Sequence, residues 1–553
     1  MDLQRVLQPG RYTAFILCLL GLIPALALAL IHPVGWIVFV IVVALSYIGV
    51  RDLIQTHHSV QRAYPVIGHV RWLAELIRPE IRQYLIEADE DAVPFSRSQR
   101  ALVYKRAKAE TGERPFGTLL DVYRDGYEFI GHSSTPKPAA DPTSFRITIG
   151  GPQCARPYSA SVFNISAMSF GSLSANAIRA LNAGAKRGGF SHDTGEGSIS
   201  PYHREMGGDI VWEVASGYFG CRTPDGRFDP DKFAAQAGDD QVKMIEIKLS
   251  QGAKPGHGGV LPAAKVTKEI SETRGVPMGQ DCVSPAHHSA FTTPRELMGF
   301  IAQLRTLSGG KPVGFKLCIG HPWEFMGMVK AMLETGVAPD FIVVDGAEGG
   351  TGAAPTEFSD HIGTPMREGL LFVHNTLVGA GLRDQIKIGV AGKIVSAFDI
   401  VSVLAIGADW ANAARGFMFA VGCIQSLSCN TNRCPSGVAT QDKLLQTALV
   451  VSDKAERVYN FHARTLKALA DMLAAAGLSH PDDLQPHHLS RRVSATEIRQ
   501  FDQLHTFLKP GQLLDESCES GFYAQNWARA SAEGFGGIGD AQGRAASAHR
   551  IRP

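Results

Sequence analysis

The chain has almost no net charge. Its 553 residues carry 54 Lys+Arg against 53 Asp+Glu, a formal charge of +1. That balance supplies no basic face for a phosphate backbone, so no nucleic-acid partner is expected. No repeat of solenoid length is present, which excludes a stacked-repeat architecture. Cysteine is sparse at nine and follows no regular framework. Six of the nine (Cys18, Cys154, Cys221, Cys282, Cys318, Cys518) are scattered and read as reduced, buried thiols facing a reducing compartment. Glycine, by contrast, is abundant: 58 residues in loop-like clusters, as needed where backbone must approach a ligand closely.

Charge is also missing from the N-terminus. Tyr12 to Ile31 is an uncharged apolar run, and a second, Trp36 to Val50, follows after HPVG. Each is near the ~20 residues that span hydrocarbon. The pair predicts a transmembrane helical hairpin over residues 1–51. Arg5 and Arg11 before it and Arg51 after it place both ends, and the catalytic region, in the cytoplasm. A cleaved signal peptide is the alternative, and the second apolar run argues against it.

Residues 52–144 read as a helical segment, with Pro79 expected to interrupt its first long helix. From 145 to 445 short apolar runs alternate with helical stretches. Eight strands are expected: 161–168, a short one before Asp193, 243–249, 280–284, 313–317, 340–346, 386–392 and 409–415. This alternation predicts an α/β protein with a (β/α)8 TIM barrel. A doubly wound open sheet is the runner-up, but no G-x-G-x-x-G follows the first strand. Residues 446–529 read as a helical segment in which Val458, Phe461, Leu466, Leu469 and Leu473 share a face. Residues 530–553 read as a disordered tail.

The most specific motif is CIQSLSCNTNRCP, which sets Cys423, Cys429 and Cys434 at C-x5-C-x4-C. Three neighbouring thiolates suit an iron–sulfur cluster, either [3Fe-4S] or [4Fe-4S] with one open iron. Three buried structural thiols remain the alternative. Zinc is disfavoured, because the run holds no fourth Cys and no His. Polar, Gly-rich motifs follow the predicted strands, where a barrel keeps its chemistry. They are AMSFGSLS, HDTGEG, KLSQGAKPGHGG, DGAEGGTG, AGK and ARG. Lys316, in the fifth strand, can stabilise the negative charge of a reduced flavin. Lys254 and Arg274 can grip a dicarboxylate, although Arg274 alone reads as a solvated helix residue. His287 and His288 read as loop histidines rather than metal ligands.

Together SAMSFGSLS, DTGEG, QGAKPGHGG, VSPAHH, DGAEGGTGAAP and GCIQSLSCNTNRCPSGVATQ resemble the FMN-binding synthase domain of glutamate synthase, over roughly residues 90 to 480. The resemblance implies a (β/α)8 barrel carrying FMN and a [3Fe-4S] cluster. It implies Cys423, Cys429 and Cys434 as cluster ligands. It implies Ala167, Met168, Ser169, Lys316, Gly350, Gly392, Lys393, Ala414 and Arg415 as the FMN shell. Glu196, Gln251, Lys254 and Arg274 fall where the family binds 2-oxoglutarate. The implied reaction is reductive amination of 2-oxoglutarate with ammonia to L-glutamate, with electrons from ferredoxin or a similar one-electron donor.

The chain departs from the family in three places. It opens MDLQRV rather than on a cysteine nucleophile, so a glutaminase activity is not expected and ammonia must come from elsewhere. The family's GEGGQ reads GHGGV, which puts His257 and Val260 beside the substrate. The apolar hairpin is foreign to the well-known enzymes. These departures keep two alternatives open: an FMN/Fe–S oxidoreductase on a different keto or imino substrate, and a membrane-bound electron-transfer subunit.

Overall fold

Eight parallel strands close into a barrel in the computed structural model, which describes residues 11–91, 94–113, 115–515 and 521–538. The strands are β1 (Phe163–Ile165), β2 (His192–Asp193), β3 (Ile210–Val214), β4 (Val242–Lys248), β5 (Val313–Leu317), β6 (Phe341–Asp345), β7 (Lys387–Ala391) and β8 (Trp410–Ala413). They pair in chain order, and β8 closes on β1. With helices between the strands this is a TIM barrel.

Seven of the eight expected strands are in the barrel. The expected strand at 280–284 is not. Its core, Cys282–Val283, pairs antiparallel with Val260–Leu261 in a small hairpin outside the barrel. Burial alternates along it, with Cys282 and Ser284 buried and Val283 60% exposed, which suits a two-stranded hairpin and not a barrel wall. The true third strand is IVWEV, buried at all five residues.

Local signals agree with the helices. The helix after β1, Ala175–Gly188, starts at Ser174, whose hydroxyl accepts the Ala177 N–H, and ends at Gly189 in the left-handed conformation. The helix Val451–Ala475 buries Val458, Phe461, Leu466, Leu469 and Leu473, as their spacing predicts. Val458 lies so close to Gly184 of the first barrel helix that a Cβ there would collide. Phe461 sits edge-on to Phe163 of β1 and to Phe417.

Two segments differ from expectation. Past residue 107 the segment 52–144 is mostly irregular. Its Glu128–Ile130 forms a strand against Leu489–Arg492, which lies within the expected C-terminal helical segment. The start of the expected tail is packed: Ala530 and Ala532 are buried, and the Ala530 carbonyl accepts Lys330 Nζ at 2.9 Å. Residues 539–553 lie outside the described residues, as does Arg5.

The chain divides into Met1–Arg97 and Ser98–Pro553. In the first unit Thr13–Ile31 and Gly35–Ile54 are long and apolar enough to cross a membrane. Asp52, at the end of the second helix, is buried and accepts the Val66 N–H at 2.9 Å and pairs with His69 Nε2 at 2.9 Å. The helix Gly68–Ile81 runs through Pro79 rather than stopping there. A π-helical turn, Arg82–Ile86, follows directly after it.

Candidate active site

Between β4 and the next barrel helix the chain makes a long excursion, residues 249–293. Gly252 starts it. Its N–H donates to the Asp345 carboxylate at 2.9 Å, and a Cβ at this position would run into the Gly346 carbonyl. Only glycine lets QGAKPG lie against DGAEGG. The excursion then carries Lys254 and, on the helix Lys268–Arg274, Arg274. Each is 3% exposed.

Arg274 is not a solvated helix residue. Its Nη2 donates to the Phe170 carbonyl at 3.0 Å and to Ser169 Oγ at 3.4 Å, and its guanidinium lies 5.3 Å from the Phe219 ring. Its Nε is buried with no acceptor among the described residues. Glu196, from the loop after β2, pairs with Lys248 Nζ at 3.2 Å. Lys248 also donates to Gln251 Oε1 at 2.6 Å. Burial opposes ionisation of Glu196, but Lys248, Arg274 and Lys254 outweigh it and hold the carboxyl below its usual range. Burial pulls Lys254 down, and Glu196 pulls it partly back. Glu196, Gln251, Lys254 and Arg274 therefore meet at one place. Three cations (Lys248, Lys254, Arg274) act on Glu196; Lys248 is shared with Glu213 at 4.0 Å, and Lys254 and Arg274 have no ion pair within 4.0 Å among the described residues.

The expected flavin residues lie on the loops at the same, C-terminal end of the strands. Ala167, Met168 and Ser169 follow β1, and Ser169 Oγ donates to Ser172 Oγ at 3.0 Å. Arg415, next to Ala414 after β8, donates to the Thr351 carbonyl at 3.1 Å, and a Cβ on Gly350 would sit 3.0 Å from its Nε. Gly392 packs on Met366, and Lys393 beside it holds φ +54° with its side chain exposed. Lys316 is the innermost. It is ion-paired with Glu213 and lies 3.2 Å from Glu246. Burial opposes its charge, but Glu213, Glu246, Asp193 and Asp345 outweigh that and raise its pKa well above the usual value.

The cysteine loop lies beside this mouth. A Cβ on Gly352 would touch Cys429 Cβ at 3.9 Å. Between Cys423 and Cys434 three non-glycine residues, Gln425, Leu427 and Asn432, hold positive φ. Burial opposes ionisation of Cys434, but the Ser436 hydroxyl and the N–H groups of Ala439, Ser436 and Val438 outweigh it and lower the thiol's pKa. Burial raises Cys423. The three sulfur atoms are not all within 4.8 Å of one another. A single tetrahedral zinc with Zn–S of ~2.3 Å would need ~3.8 Å.

Some residues of this region escaped the sequence reading. Glu213 and Glu246 are the partners of Lys316, and the available signal was one Glu inside each apolar strand, IVWEV and KMIEIKL. His288 is a satisfied buried residue: Nε2 lies 2.8 Å from the Lys248 carbonyl and Nδ1 3.1 Å from the Tyr218 hydroxyl.

Barrel and mouth together define a (β/α)8 enzyme whose polar and charged groups gather at the C-terminal strand ends. A family model described as the conserved region in glutamate synthase matches residues 151–479. The chain belongs to this family and is a glutamate synthase-like oxidoreductase. It is 37% identical over 522 residues to the glutamate synthase large subunit-like protein YerD of Bacillus subtilis, covering 87% of this chain and 99% of that protein. It is 35% identical over 320 residues to the archaeal-type glutamate synthase (NADPH) of Thermotoga neapolitana, covering 58% and 60% respectively. The archaeal glutamate synthase (NADPH) of Archaeoglobus fulgidus is 34% identical over 321 residues, again covering 58% and 60%.

Proposed function

We propose that this chain, as an oxidoreductase acting on CH–NH2 donors, catalyses reductive amination of 2-oxoglutarate with ammonia to L-glutamate. Two buried cations without a close ion pair, Lys254 and Arg274, carry the reading, because 2-oxoglutarate is a dicarboxylate. Lys254 and Arg274 take its carboxylates by charge-assisted hydrogen bonds, and the unpartnered Arg274 Nε is a further buried donor. Desolvation strengthens both contacts and fixes the keto carbon in one orientation.

The residues fit FMN. Lys316 supplies a buried cation, Gly350 and Gly392 supply bare backbone, and Lys393 and Arg415 supply cations suited to a phosphate. When bound, FMN supplies hydride chemistry. The cysteines fit a multi-iron cluster. The run offers three thiols and no fourth Cys or His for a tetrahedral zinc, and N–H groups and a hydroxyl favour thiolate at Cys434. We assign Cys423, Cys429 and Cys434 as its ligands, with [3Fe-4S] the form that three ligands favour, and a one-electron donor such as ferredoxin as its source of electrons. The hairpin anchors the chain in a membrane with the barrel in the cytoplasm.

The test is anaerobic. The flavin of the purified protein is reduced, then 2-oxoglutarate and ammonium are added. Reoxidation with formation of L-glutamate is expected. Reoxidation only by another keto or imino acid would move the assignment to that substrate, as the His257 and Val260 changes allow. No reoxidation by any of them would leave electron transfer as the function.

A further inference from the structure

Strands β2, β3, β4 and β5 direct Asp193, Glu213, Glu246 and Lys316 into the barrel interior. All four are at least 96% buried. The three carboxylates offer oxygens within 4.8 Å of one another. Lys316 stands where a cation would, ion-paired with Glu213 and 3.2 Å from Glu246. The charged groups around them do not balance this set. Lys248 reaches within 4.0 Å of Glu213, but it is held by Glu196 at 3.2 Å and by Gln251. Asp345, from β6, adds a fourth carboxylate near Lys316 and accepts the Gly252 N–H. His192, beside Asp193, is kept neutral by burial, with its pKa pulled down to about 3. Asn164 and Asn412, from β1 and β8, are uncharged.

One ammonium cannot neutralise three buried carboxylates, and an unpaired buried charge costs several kcal/mol. Carboxylates that share a site resolve this by holding a proton. The structure carries two marks of it. Burial and the neighbouring Glu246 push the Asp193 carboxyl well up, although Lys316 pulls it down. Burial likewise pushes Glu246 up to about 7, against the pull of Lys316. Beside these shifts stands the geometry: Glu246 Oε1 is fully buried, with the shared Lys316 ammonium at 3.2 Å and no further hydrogen bond among the described residues. Glu246 and Asp193 line an internal cavity of about 10 Å³ together with Asn164, Ser191 and Asn412. That is room for roughly one water, with polar partners to hold it.

We propose that Asp193 and Glu246 share one proton at neutral pH and form a proton store behind Lys316. The proposal rests on the FMN reading for its role. Reductive amination joins 2-oxoglutarate, ammonium, two electrons and two protons into glutamate and water. Electrons arriving at the mouth bring negative charge near Lys316. That charge raises the affinity of the pair for a second proton, drawn from solvent. The proton is released when the electrons leave with substrate, and it serves as one of the two consumed. A run of ion pairs connects store and mouth: Glu246 to Lys316, Glu213, Lys248 and Glu196.

Two measurements on the purified full-length protein test this. The infrared spectrum at neutral pH should contain a protonated-carboxyl band that shifts in D2O and disappears in Glu246→Gln, whose amide has the shape of the protonated acid. Asp193→Asn is the second variant if the first does not fold. The flavin midpoint potential should fall more steeply with pH in the unmodified protein than in the variant. The difference is one proton per two electrons, a tenfold change in equilibrium constant or about 30 mV per pH unit. The proposal is overturned by a spectrum without that band, by a band that survives both substitutions, or by equal slopes. A protein without flavin would remove the FMN reading, while the infrared band would still decide whether the pair holds a proton.

Discussion

Arg274 is the residue on which sequence and structure differ most in what they suggest. In the sequence it ends a short, charged helix, KEISETR, and nothing local distinguishes it from a solvated side chain. In the structure it is buried because the chain turns at Gly275 in the left-handed region and because the loop after β1 covers the guanidinium. Arg274→Lys keeps the charge and loses the planar fork. We expect the KM for 2-oxoglutarate to rise about 10- to 100-fold, the worth of one or two charged hydrogen bonds, with flavin content unchanged. Equal loss of flavin and activity would mark Arg274 as a folding residue instead. Cys429→Ala separates the other half of the site. We expect the iron content to collapse while an artificially reduced flavin still turns over substrate. Unchanged iron would remove Cys429 from the ligand set. The glycine-rich loops and the three cysteines were legible in the sequence as runs of special residues, whereas the place of Arg274 beside Lys254 came only from the resemblance. Glu213 and Glu246 were not legible. A single glutamate in an apolar strand shows its partner only after the barrel has closed around it.

At the scale of elements, the barrel was legible from the alternation of strands and helices, and the error in it has a physical cause. IVWEV shows no polar–apolar alternation because it is buried on both faces, with its glutamate paired inside. QDCVS offers only two adjacent apolar residues, of which Cys282 is buried and Val283 exposed, and it forms a small half-exposed hairpin. The sheet Glu128–Ile130, Leu489–Arg492 and Ile498–Gln500 was illegible, since Glu128 pairs with Arg491, 363 residues away, only in the folded protein. Glu128 holds this sheet to the barrel. It accepts from Arg367 Nη2 at 2.7 Å, on the helix after β6, and from Arg491 Nε at 2.9 Å. Burial opposes its ionisation, but the two arginines outweigh it and lower its pKa. A depressed carboxyl stabilises the fold at pH values above its unfolded pKa, and that contribution is lost as pH falls through the folded one. We therefore expect Glu128→Gln to destabilise the protein by about 1–3 kcal/mol at neutral pH. The gap should close in acid, below the ordinary glutamate range. A constant gap down to that range, measured by denaturant unfolding, would mean that Glu128 acts through packing rather than charge.

For the molecule as a whole, the question is what the first unit is for. Thr13–Ile31 and Gly35–Ile54 leave most of their apolar side chains exposed, among them Ile23 at 77% and Ile31 at 82%. Water does not tolerate two adjoining helices of this kind, and a bilayer does. The proposed orientation, with the barrel on the cytoplasmic side, rests on Arg11 before the pair and Arg51 at its end. The second unit, Ser98–Pro553, contains the whole barrel and both proposed cofactor sites. We expect the full chain to sediment with membranes, to resist extraction by salt and by alkaline carbonate, and to be released by detergent. We expect residues 98–553, expressed alone, to appear in the soluble fraction still carrying flavin and iron. A cleaved signal peptide predicts otherwise: a mature N-terminus beyond the first apolar run, and a barrel on the far side of the membrane. N-terminal sequencing of the full chain, with protease accessibility in sealed vesicles, separates the two. An intact start and a barrel degraded only from the cytoplasmic face would establish the anchor. A processed start would replace it with an export signal and would remove the cytoplasmic electron donor from the proposed reaction.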